Sequence, residues 1–363
     1  MKVGIVGMPN AGKSSLFNAL TKAGAEAANY PFTTIEPNVA IVPVRDERME
    51  QVSALLGSSE IVWDTIAFHD IAGLVKGASE GEGLGNKFLA NIRETDAIVH
   101  VVRSHTDSSI LHSEGSVDPM RDIETIETEL IYADLEQAER RHERVVRGAR
   151  GGDKELTAEQ RWLEAIIGEL QAGKSVLAAV VEHPVPALAP NALRDLSPLT
   201  SKPVLFVANV DEGSDEIPAA IQAHADAIGA KVVAVSSRLE AELSEMDEEE
   251  AAEMRADLGV SESGLERVSR GAFELLDQIT FFTAGEGTIA QSWHMKDGLT
   301  AWHAAGEIHT DIQKGFVRAE VIGWEALMEA GGYAGARERG TLRIEGRDYV
   351  MRDGDVINVK FTP

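Results

Sequence analysis

A lysine and a serine close a glycine-rich run near the start of the chain, Gly7-Met8-Pro9-Asn10-Ala11-Gly12-Lys13-Ser14. Glycine lets such a turn point its backbone N–H groups at phosphate oxygens. In a phosphate-binding loop the lysine reaches the β- and γ-phosphates and the serine hydroxyl binds Mg²⁺. The spacing therefore predicts a nucleoside triphosphate site, with Lys13 also acting in catalysis. The predicted contacts in this loop are Asn10, Ala11, Gly12, Lys13, Ser14 and Ser15.

The elements that flank this loop have the order that it needs. The apolar run Val3–Val6 predicts a strand before it, and Leu16, Phe17 and Leu20 predict a helix after it. The N-terminus of that helix would add a positive dipole end to the phosphate site. Strand, glycine loop and helix together make a chance glycine turn a poor explanation.

Two further segments carry predicted magnesium and γ-phosphate contacts. The proline-containing loop 29–38 would bring Thr34, or otherwise Thr33, to Mg²⁺. The strand that ends in Asp70 supplies a second magnesium ligand, and Gly73 would donate its amide to the γ-phosphate. The glycine-dense stretch 76–85 follows as a predicted second switch. Leu74 stands where Ras-like GTPases carry a water-orienting glutamine, so either hydrolysis is slow or another group orients water.

The base-reading residues are predicted at the ends of two later strands. The run 204–209 ends in Asn209-Val210-Asp211-Glu212, and the run 232–235 ends at Ser236. Asn209, Val210, Glu212 and Ser236 are the predicted base contacts. Most P-loop GTPases read guanine with Asn-Lys-x-Asp, whose aspartate accepts from N1–H and the 2-amino group. Glu212 replaces that aspartate, so we expect ATP to bind more tightly than GTP. A one-residue loop shift could instead bring Asp211 to guanine.

Strands that alternate with helices predict an α/β fold with a doubly wound, mostly parallel sheet. We expect the nucleotide-binding domain at 1–117 and 200–278 and a helical hairpin inserted at 118–199. Gly151-Gly152 separates its two helices, and Thr157 with Gln160 forms a capping-box pattern. Short strands around one helix predict an α+β module at 279–363. The segment 240–257 is acidic and helical, and we expect it to be solvated.

Composition limits the partners that the chain can take. The 363 residues carry a net charge of −26 and no cysteine, and no apolar run is long enough to cross a membrane. A chain this acidic contacts RNA only through a local basic patch. Five arginines of the insertion form the best candidate, unless they pair with Glu136, Glu139 and Glu143: Arg140, Arg141, Arg144, Arg147 and Arg150. The lack of cysteine, and a first strand directly after Met1, predict a cytoplasmic protein.

Together these motifs resemble the YchF branch of the Obg family, the Obg-like ATPases. The resemblance includes the loop 7–14, the segments 29–38, 70–79 and 209–212, and the run 308–322, which looks like a TGS domain. It implies a P-loop domain, a helical insertion and a ubiquitin-like (β-grasp) TGS domain. It also implies an ATP preference, and ribosome association that is gated by nucleotide and regulates translation or a stress response.

The resemblance also implies roles for two residues. His112 matches a histidine that takes part in hydrolysis, and Asn10 matches an asparagine that helps to hold K⁺ beside the phosphates. We expect a monomer whose RNA contacts lie on the hairpin and the TGS domain. Two other functions stay open: a GTPase acting in ribosome assembly, and a ribosome-binding adaptor whose hydrolysis is incidental.

Overall fold

In a computed structural model of the protein, the described residues are 1–26, 38–71, 84–105, 116–260 and 262–362. The strands are β1 (Lys2–Val6), β2 (Val39–Pro43), β3 (Glu60–Val62), β4 (Thr65–Asp70), β5 (Ala97–Arg103), β6 (Val204–Asn209), β7 (Lys231–Val235), β8 (Gln278–Thr283), β9 (Ile289–Lys296), β10 (Phe316–Gly323), β11 (Arg343–Glu345) and β12 (Asp355–Phe361).

The helices of the first three-quarters of the chain are α1 (Lys13–Glu26), α2 (Glu47–Leu56), α3 (Leu84–Arg93), α4 (Pro119–Ala149), α5 (Lys154–Gln171), α6 (Val176–Glu182), α7 (Ala192–Leu196), α8 (Ala219–Ile228), α9 (Ser237–Leu243), α10 (Glu248–Asp257) and α11 (Gly264–Glu274). Four more follow: α12 (Ala301–Ile308), α13 (Thr310–Lys314), α14 (Trp324–Ala330) and α15 (Tyr333–Arg339).

These elements form two compact units. Within the described residues, the first unit contains 1–25, 38–41 and 67–272, and the second contains 42–66 and 273–362. Among the described helices, none is both long and apolar enough to cross a lipid bilayer.

The first unit is built on a six-stranded sheet with the order β2-β4-β1-β5-β6-β7. The neighbours from β4 to β7 are parallel, which places their carboxyl ends at one edge of the sheet. Every residue of β5 is buried, because helices cover both faces of a parallel sheet. Phe206 on β6 is 1% exposed, and burying such a ring contributes roughly 2 kcal/mol. The predicted α/β class is confirmed.

The inserted hairpin consists of α4 and α5. The first half of α4 packs on the sheet through Ile126 and Leu130, and its second half packs against α5 through Ala138 and Val145. At the junction, the buried carboxylate of Asp134 accepts hydrogen bonds of 2.8 Å from the backbone N–H groups of Leu199 and Thr200, which precede β6. One helix therefore belongs both to the sheet core and to the core of the insertion.

The second helix of the hairpin begins earlier than the Thr157–Gln160 pattern predicts. The Asp153 side chain accepts from the backbone N–H groups of Glu155 and Leu156, at 2.9 and 3.2 Å, and so caps α5 at Lys154. An aspartate satisfies the free N–H groups of a first turn as well as a threonine does, and it stands closer to the glycine break.

Three of the five hairpin arginines pair with carboxylates of the same unit. Arg140 lies 3.0 Å from Glu136 and Arg147 lies 3.5 Å from Glu143, each one helical turn apart. Arg141 lies 2.7 Å from the buried Glu159. The alternative of a paired helix face therefore accounts for most of this cluster, and an RNA contact at this site stays a proposal.

The second unit has a six-stranded sheet with the order β11-β10-β12-β8-β9-β3. The β8–β9 pair is antiparallel, β12 is parallel to β8 and antiparallel to β10, and α12 packs on the sheet through Ala301, Ala304 and Ala305. A hairpin, a helix and a returning central strand beside the first one form the predicted ubiquitin-like arrangement.

Residues 42–66 depart from the predicted domain division, which placed them in the nucleotide-binding domain. In the structure β3 pairs in parallel with β9, with Glu60 opposite Ile289. Asp64 accepts a hydrogen bond of 3.0 Å from the backbone N–H of His294, and Met49 on α2 packs beside Leu327. These contacts join segments more than 200 residues apart, so local periodicity gives no sign of them.

Candidate nucleotide-binding site

The loop between β1 and α1 has the backbone conformation that a phosphate cradle needs. Gly12 and Asn10 have φ angles of +101° and +62°, and asparagine is one of the few side chains that tolerate the left-handed region. A Cβ atom on Gly7 would lie 2.4 Å from the backbone oxygen of Val101 on β5. The first glycine is therefore required by close packing against the sheet and the second by the turn itself.

Lys13 lies at the first position of α1 and is 8% exposed. Its Nζ donates to the backbone oxygens of Gly7 and Met8, at 2.9 and 2.7 Å, so the ammonium lies inside the loop. Burial lowers the pKa of Lys13 to about 8, although the carboxylate of Asp70 opposes the shift. The site thus holds a partly desolvated cation, which is suited to bind a phosphate.

Asp70 ends β4 in register with Ile5, which brings its carboxylate to the same edge of the sheet as the loop. Burial raises the pKa of Asp70, and Lys13 opposes that shift. Its carboxylate accepts no hydrogen bond from the part of the chain that the structure describes. With the exposed hydroxyl of Ser14, it forms a set of hard oxygen donors of the type that Mg²⁺ prefers.

A histidine lies beneath this site, in the middle of β5. Burial, and then the charge of Lys13, lowers the pKa of His100 to about 3. Its ring lies 5.4 Å from the ring of Phe206, and its Nε2 has no hydrogen-bond partner among the residues described. The imidazole is therefore neutral at physiological pH and adds no positive charge near Lys13.

Asn209 joins the loop to the carboxyl ends of β6 and β7. Its Nδ2 donates to the backbone oxygen of Ala11 at 2.9 Å, and its Oδ1 accepts from the backbone N–H of Ser237 at 2.9 Å. The side chain is 4% exposed, so both bonds are shielded from water. An amide has two N–H groups, which leaves one for a ligand. Asn209, a predicted base contact, thus also connects the phosphate loop to the carboxyl ends of β6 and β7.

The other predicted base contacts lie around Asn209. Val210 packs its side chain into the core beside Ala208 and Ile221, so only its backbone faces the site edge. Ser236 caps α9 by accepting from the backbone N–H of Leu239 at 3.4 Å. Glu212 is exposed, and its Oε1 lies 3.0 Å from Nε of Arg238.

Several predicted site residues lie outside the described residues. These are Thr34 and its alternative Thr33, Gly73, and His112, together with Leu74. Their predicted roles stay predictions. The structure does bring Lys13, Ser14, Asp70 and Asn209 to one edge of the first sheet.

Sequence reasoning missed two residues at this edge. The backbone N–H of Ser237 holds Asn209, and Arg238 is the ion-pair partner of Glu212. They lie two and three residues after the apolar run 232–235, at the end of a parallel strand where polar ligand-binding groups gather. The location of these two residues at the site could therefore be predicted from the sequence. Their contacts with Asn209 and Glu212 could not, because those residues follow a different strand.

Another group of ligand-type side chains occurs in the insertion, where Glu169, Glu182 and His183 lie close together. Lys174 places its Nζ 2.8 Å from Glu169 and 2.9 Å from Glu182. The ammonium thus already balances both carboxylates, and we assign no metal there.

The lowered pKa of Lys13 predicts a pH-dependent affinity for nucleotide. The ammonium is present below about pH 8 and is lost above it, so affinity should be complete at pH 7 and fall about tenfold per pH unit above 8. Calorimetry with ADP and EDTA at several pH values, in two buffers of different ionisation enthalpy, should show proton uptake near pH 8. Lys13→Ala should show neither effect. A flat wild-type profile to pH 9.5 would contradict the assignment.

Two family models match the chain. Residues 2–136 match the model described as "50S ribosome-binding GTPase". Residues 278–362 match the model of the YchF GTPase C-terminal domain, described as "Protein of unknown function (DUF933)". The first match contains the phosphate loop and also residues 42–66 of the second unit, and the second match contains the C-terminal strands of the second unit.

Full-length relatives extend this similarity to the whole chain. Proteins named "Ribosome-binding ATPase YchF" are 47% identical in Haemophilus influenzae and 45% identical in Bacillus subtilis, and each alignment covers 99% of both proteins. The solved structure described as "Structure of the Schizosaccharomyces pombe YchF GTPase" is 35% identical with a TM-score of 0.86, over 99% of this chain and 97% of that one. The two bacterial relatives are thus named as ATPases, and the Schizosaccharomyces pombe relative is named as a GTPase.

Proposed function

The chain belongs to the YchF family, and from this premise we propose that it is a Mg²⁺-dependent ATPase whose ATP-bound form associates with ribosomes. The observation that carries the proposal is the buried ammonium of Lys13, which lies inside a glycine loop at the N-terminus of a helix. The names of the bacterial relatives support ATP and the ribosome as its ligands. Ribosome association in turn supports the cytoplasmic location expected from the sequence.

The preference for ATP over GTP rests on the residues at the end of β6. Asn209 has one N–H left to donate, and N7 of adenine or guanine accepts it equally well. Discrimination therefore falls to Glu212, whose longer side chain displaces the carboxylate from the place of the aspartate in Asn-Lys-x-Asp. Because an unmade hydrogen bond at a binding site costs about 1–3 kcal/mol, GTP should bind more weakly.

Hydrolysis would use the charges that the loop already holds. Lys13 and the loop N–H groups would neutralise charge as it develops on the transferred phosphoryl group. Ser14, Asp70 and, from its place in the loop 29–38, Thr34 would hold Mg²⁺, which adds further charge neutralisation when it is bound. Gly73 would contact the γ-phosphate, and His112 would orient water in place of the glutamine that Leu74 replaces.

A monovalent ion is a separate part of the proposal. Asn10 has the left-handed conformation that turns its backbone at the loop tip, and the family resemblance assigns it a role in holding K⁺. Hydrolysis should then be faster in K⁺ than in Na⁺ at equal ionic strength. Equal rates in the two salts would remove K⁺ from the mechanism.

The experiment that tests the function is ribosome pelleting with ATP, ADP, GTP and GDP side by side, together with competition of ATP against GTP for the purified protein. We expect most protein in the pellet with ATP, and tighter binding of ATP than of GTP. Tighter GTP would favour the alternative of a GTPase in ribosome assembly, which would agree with the name GTPase given to the yeast relative.

The adaptor alternative predicts a different result in the same assay. If hydrolysis is incidental, Lys13→Ala should pellet like the wild type in every nucleotide state. Under our proposal the pelleting of this variant no longer responds to ATP.

The exposed arginines of the hairpin and the C-terminal unit are the proposed RNA contacts. We also propose that the protein is a monomer, which sedimentation of the free protein tests.

A further inference from the structure

We propose that Arg238 is a positioning residue that weakens guanine binding by occupying the carboxylate of Glu212. The inference rests on the proposed purine nucleotide site and deepens it, because it names a residue that sets the choice of base. Its expected effect is a change in the ratio of GTP to ATP affinity, whichever nucleotide the wild type prefers.

The geometry places the two side chains on neighbouring strand ends. Asn209 and Val235 are opposite each other in the parallel β6–β7 pair, and the backbone N–H of Val210 donates to the oxygen of Val235 at 3.0 Å. Glu212 follows β6 by three residues and Arg238 follows β7 by three. Their side chains meet with a distance of 3.0 Å between Nε and Oε1.

Arg238 also contacts a second acid one turn along α9. Its Nε lies 3.2 Å from Oε1 of Glu242. The guanidinium is therefore shared, and each carboxylate competes with the other for it. The charge of Glu242 consequently determines how strongly Arg238 occupies Glu212.

The chemistry of the two bases gives this ion pair its effect. Guanine offers two parallel donors, N1–H and the 2-amino group, which a carboxylate reads best with both oxygens. Arg238 already occupies one oxygen of Glu212 and neutralises its charge. Adenine has an acceptor at N1 and no 2-amino group, so it donates no hydrogen bond to the carboxylate from this edge. Guanine must displace Arg238 from Glu212, whereas adenine need not. The ion pair therefore favours ATP by weakening the binding of GTP.

The exposure of the pair limits the size of the effect. The side chain of Arg238 is 68% exposed and that of Glu212 is 43% exposed. Ion pairs at such exposure contribute about 0.2–1 kcal/mol, which corresponds to a change in affinity of about 1.4- to 5-fold. They are also screened by salt, since the Debye length falls to about 3 Å at 1 M.

The test is calorimetric titration of the full chain with GTP and ATP. In Arg238→Ala we expect GTP to bind about 1.4- to 5-fold more tightly, by the range just given, and ATP affinity to stay unchanged. Glu242→Gln should act in the opposite direction, because Arg238 then pairs with Glu212 alone. In a Glu212→Gln background, Arg238→Ala should change neither affinity. High salt should bring the ratio of GTP to ATP affinity in the wild type towards the ratio in Arg238→Ala, and should change the ratio in Arg238→Ala little.

A matched control is Arg270→Ala on α11, whose arginine is 57% exposed and forms an ion pair with Glu262. It should leave the ratio unchanged. An unchanged ratio in Arg238→Ala, or equal weakening of both nucleotides, would overturn the inference. If neither nucleotide binds the wild type, the proposed function fails instead. If the wild type prefers GTP and Arg238→Ala strengthens that preference further, the ATP assignment fails and the role of Arg238 stands.

Discussion

Replacing Lys13 by alanine or methionine should lower ATP turnover by about 100- to 1,000-fold. The ammonium is the cation inside the loop, and removing one group that stabilises transition-state charge at a water-excluded site typically costs about 100- to 1,000-fold in kcat. Lys13 also balances the loop oxygens of Gly7 and Met8, so phosphate affinity should fall as well. Steady-state phosphate release with saturating ATP measures the first effect, and calorimetry measures the second.

The folding stability of these variants should behave differently from their activity. Burial lowers the pKa of Lys13 from its ordinary value of 10.5 to about 8, which means that folding holds the ammonium at a cost of roughly 3 kcal/mol at pH 7. The cost is complete below about pH 8 and disappears as pH rises towards 10.5. Lys13→Met keeps the apolar stem and removes the charge, so its Tm should equal or exceed that of the wild type.

The control for both measurements is Lys22→Ala on the same helix. Lys22 is 40% exposed and forms an ion pair with Glu245. Its loss should leave turnover within about twofold and stability within about 0.5 kcal/mol, as for most surface substitutions. Wild-type turnover in Lys13→Met, with the fold intact, would remove Lys13 from catalysis and with it the phosphate-loop assignment.

Gly12→Ala should strongly destabilise the first unit, although it adds only one methyl group. The added Cβ would lie 2.2 Å from Nδ2 of Asn209, at a φ of +101° that alanine avoids. Asn209 cannot move aside cheaply, because its amide is buried and held at both ends by Ala11 and Ser237. Backbone strain and two lost hydrogen bonds together predict a loss of about 3 kcal/mol or more in the free energy of unfolding, with loss of nucleotide binding.

Chemical unfolding with and without ADP measures this prediction, and Gly229→Ala is its matched control. Gly229 also has a positive φ, +68°, but no atom lies within 4 Å of its added Cβ. That variant should show backbone strain alone, about 1 kcal/mol, and normal nucleotide binding. Asn209→Ala opens space for the methyl group, so the double variant should lose less than the two single losses added together. Equal effects of Gly12→Ala and Gly229→Ala would show that the contact with Asn209 is unimportant.

The phosphate loop was predictable because its residues are consecutive. The strands of the parallel sheet were predictable because each is a continuous apolar run. Apolar runs followed by polar strand ends located Asp70, Asn209 and Ser236 at one edge of the sheet from the sequence alone. Glu240 shows the limit of composition. It lies in an acidic helical segment that we expected to be solvated, yet it is 4% exposed and accepts from the backbone N–H of Gly264 at 2.7 Å.

Features that depend on distant pairing were not predictable. The three residues of β3 are too short to show a period, and their partner strand lies more than 200 residues later. The side chain of Val210 packs in the core beside Ala208, because alternation along the strand turns it away from the face of Asn209, and its nucleotide contact stays a prediction. The pair of Arg238 and Glu212 likewise forms only when two separate loops meet.

The continuity of α4 has a mechanical consequence. At 1.5 Å per residue its 31 residues span about 46 Å, and the 15 residues beyond Asp134 extend about 22 Å past the sheet. A helix anchored in this way acts as a lever. A tilt of about 10° where it meets the sheet would carry its far end about 4 Å, by the same rise per residue. Small rearrangements beside a bound phosphate that tilt α4 would thereby become displacements large enough to make or break contact with a partner.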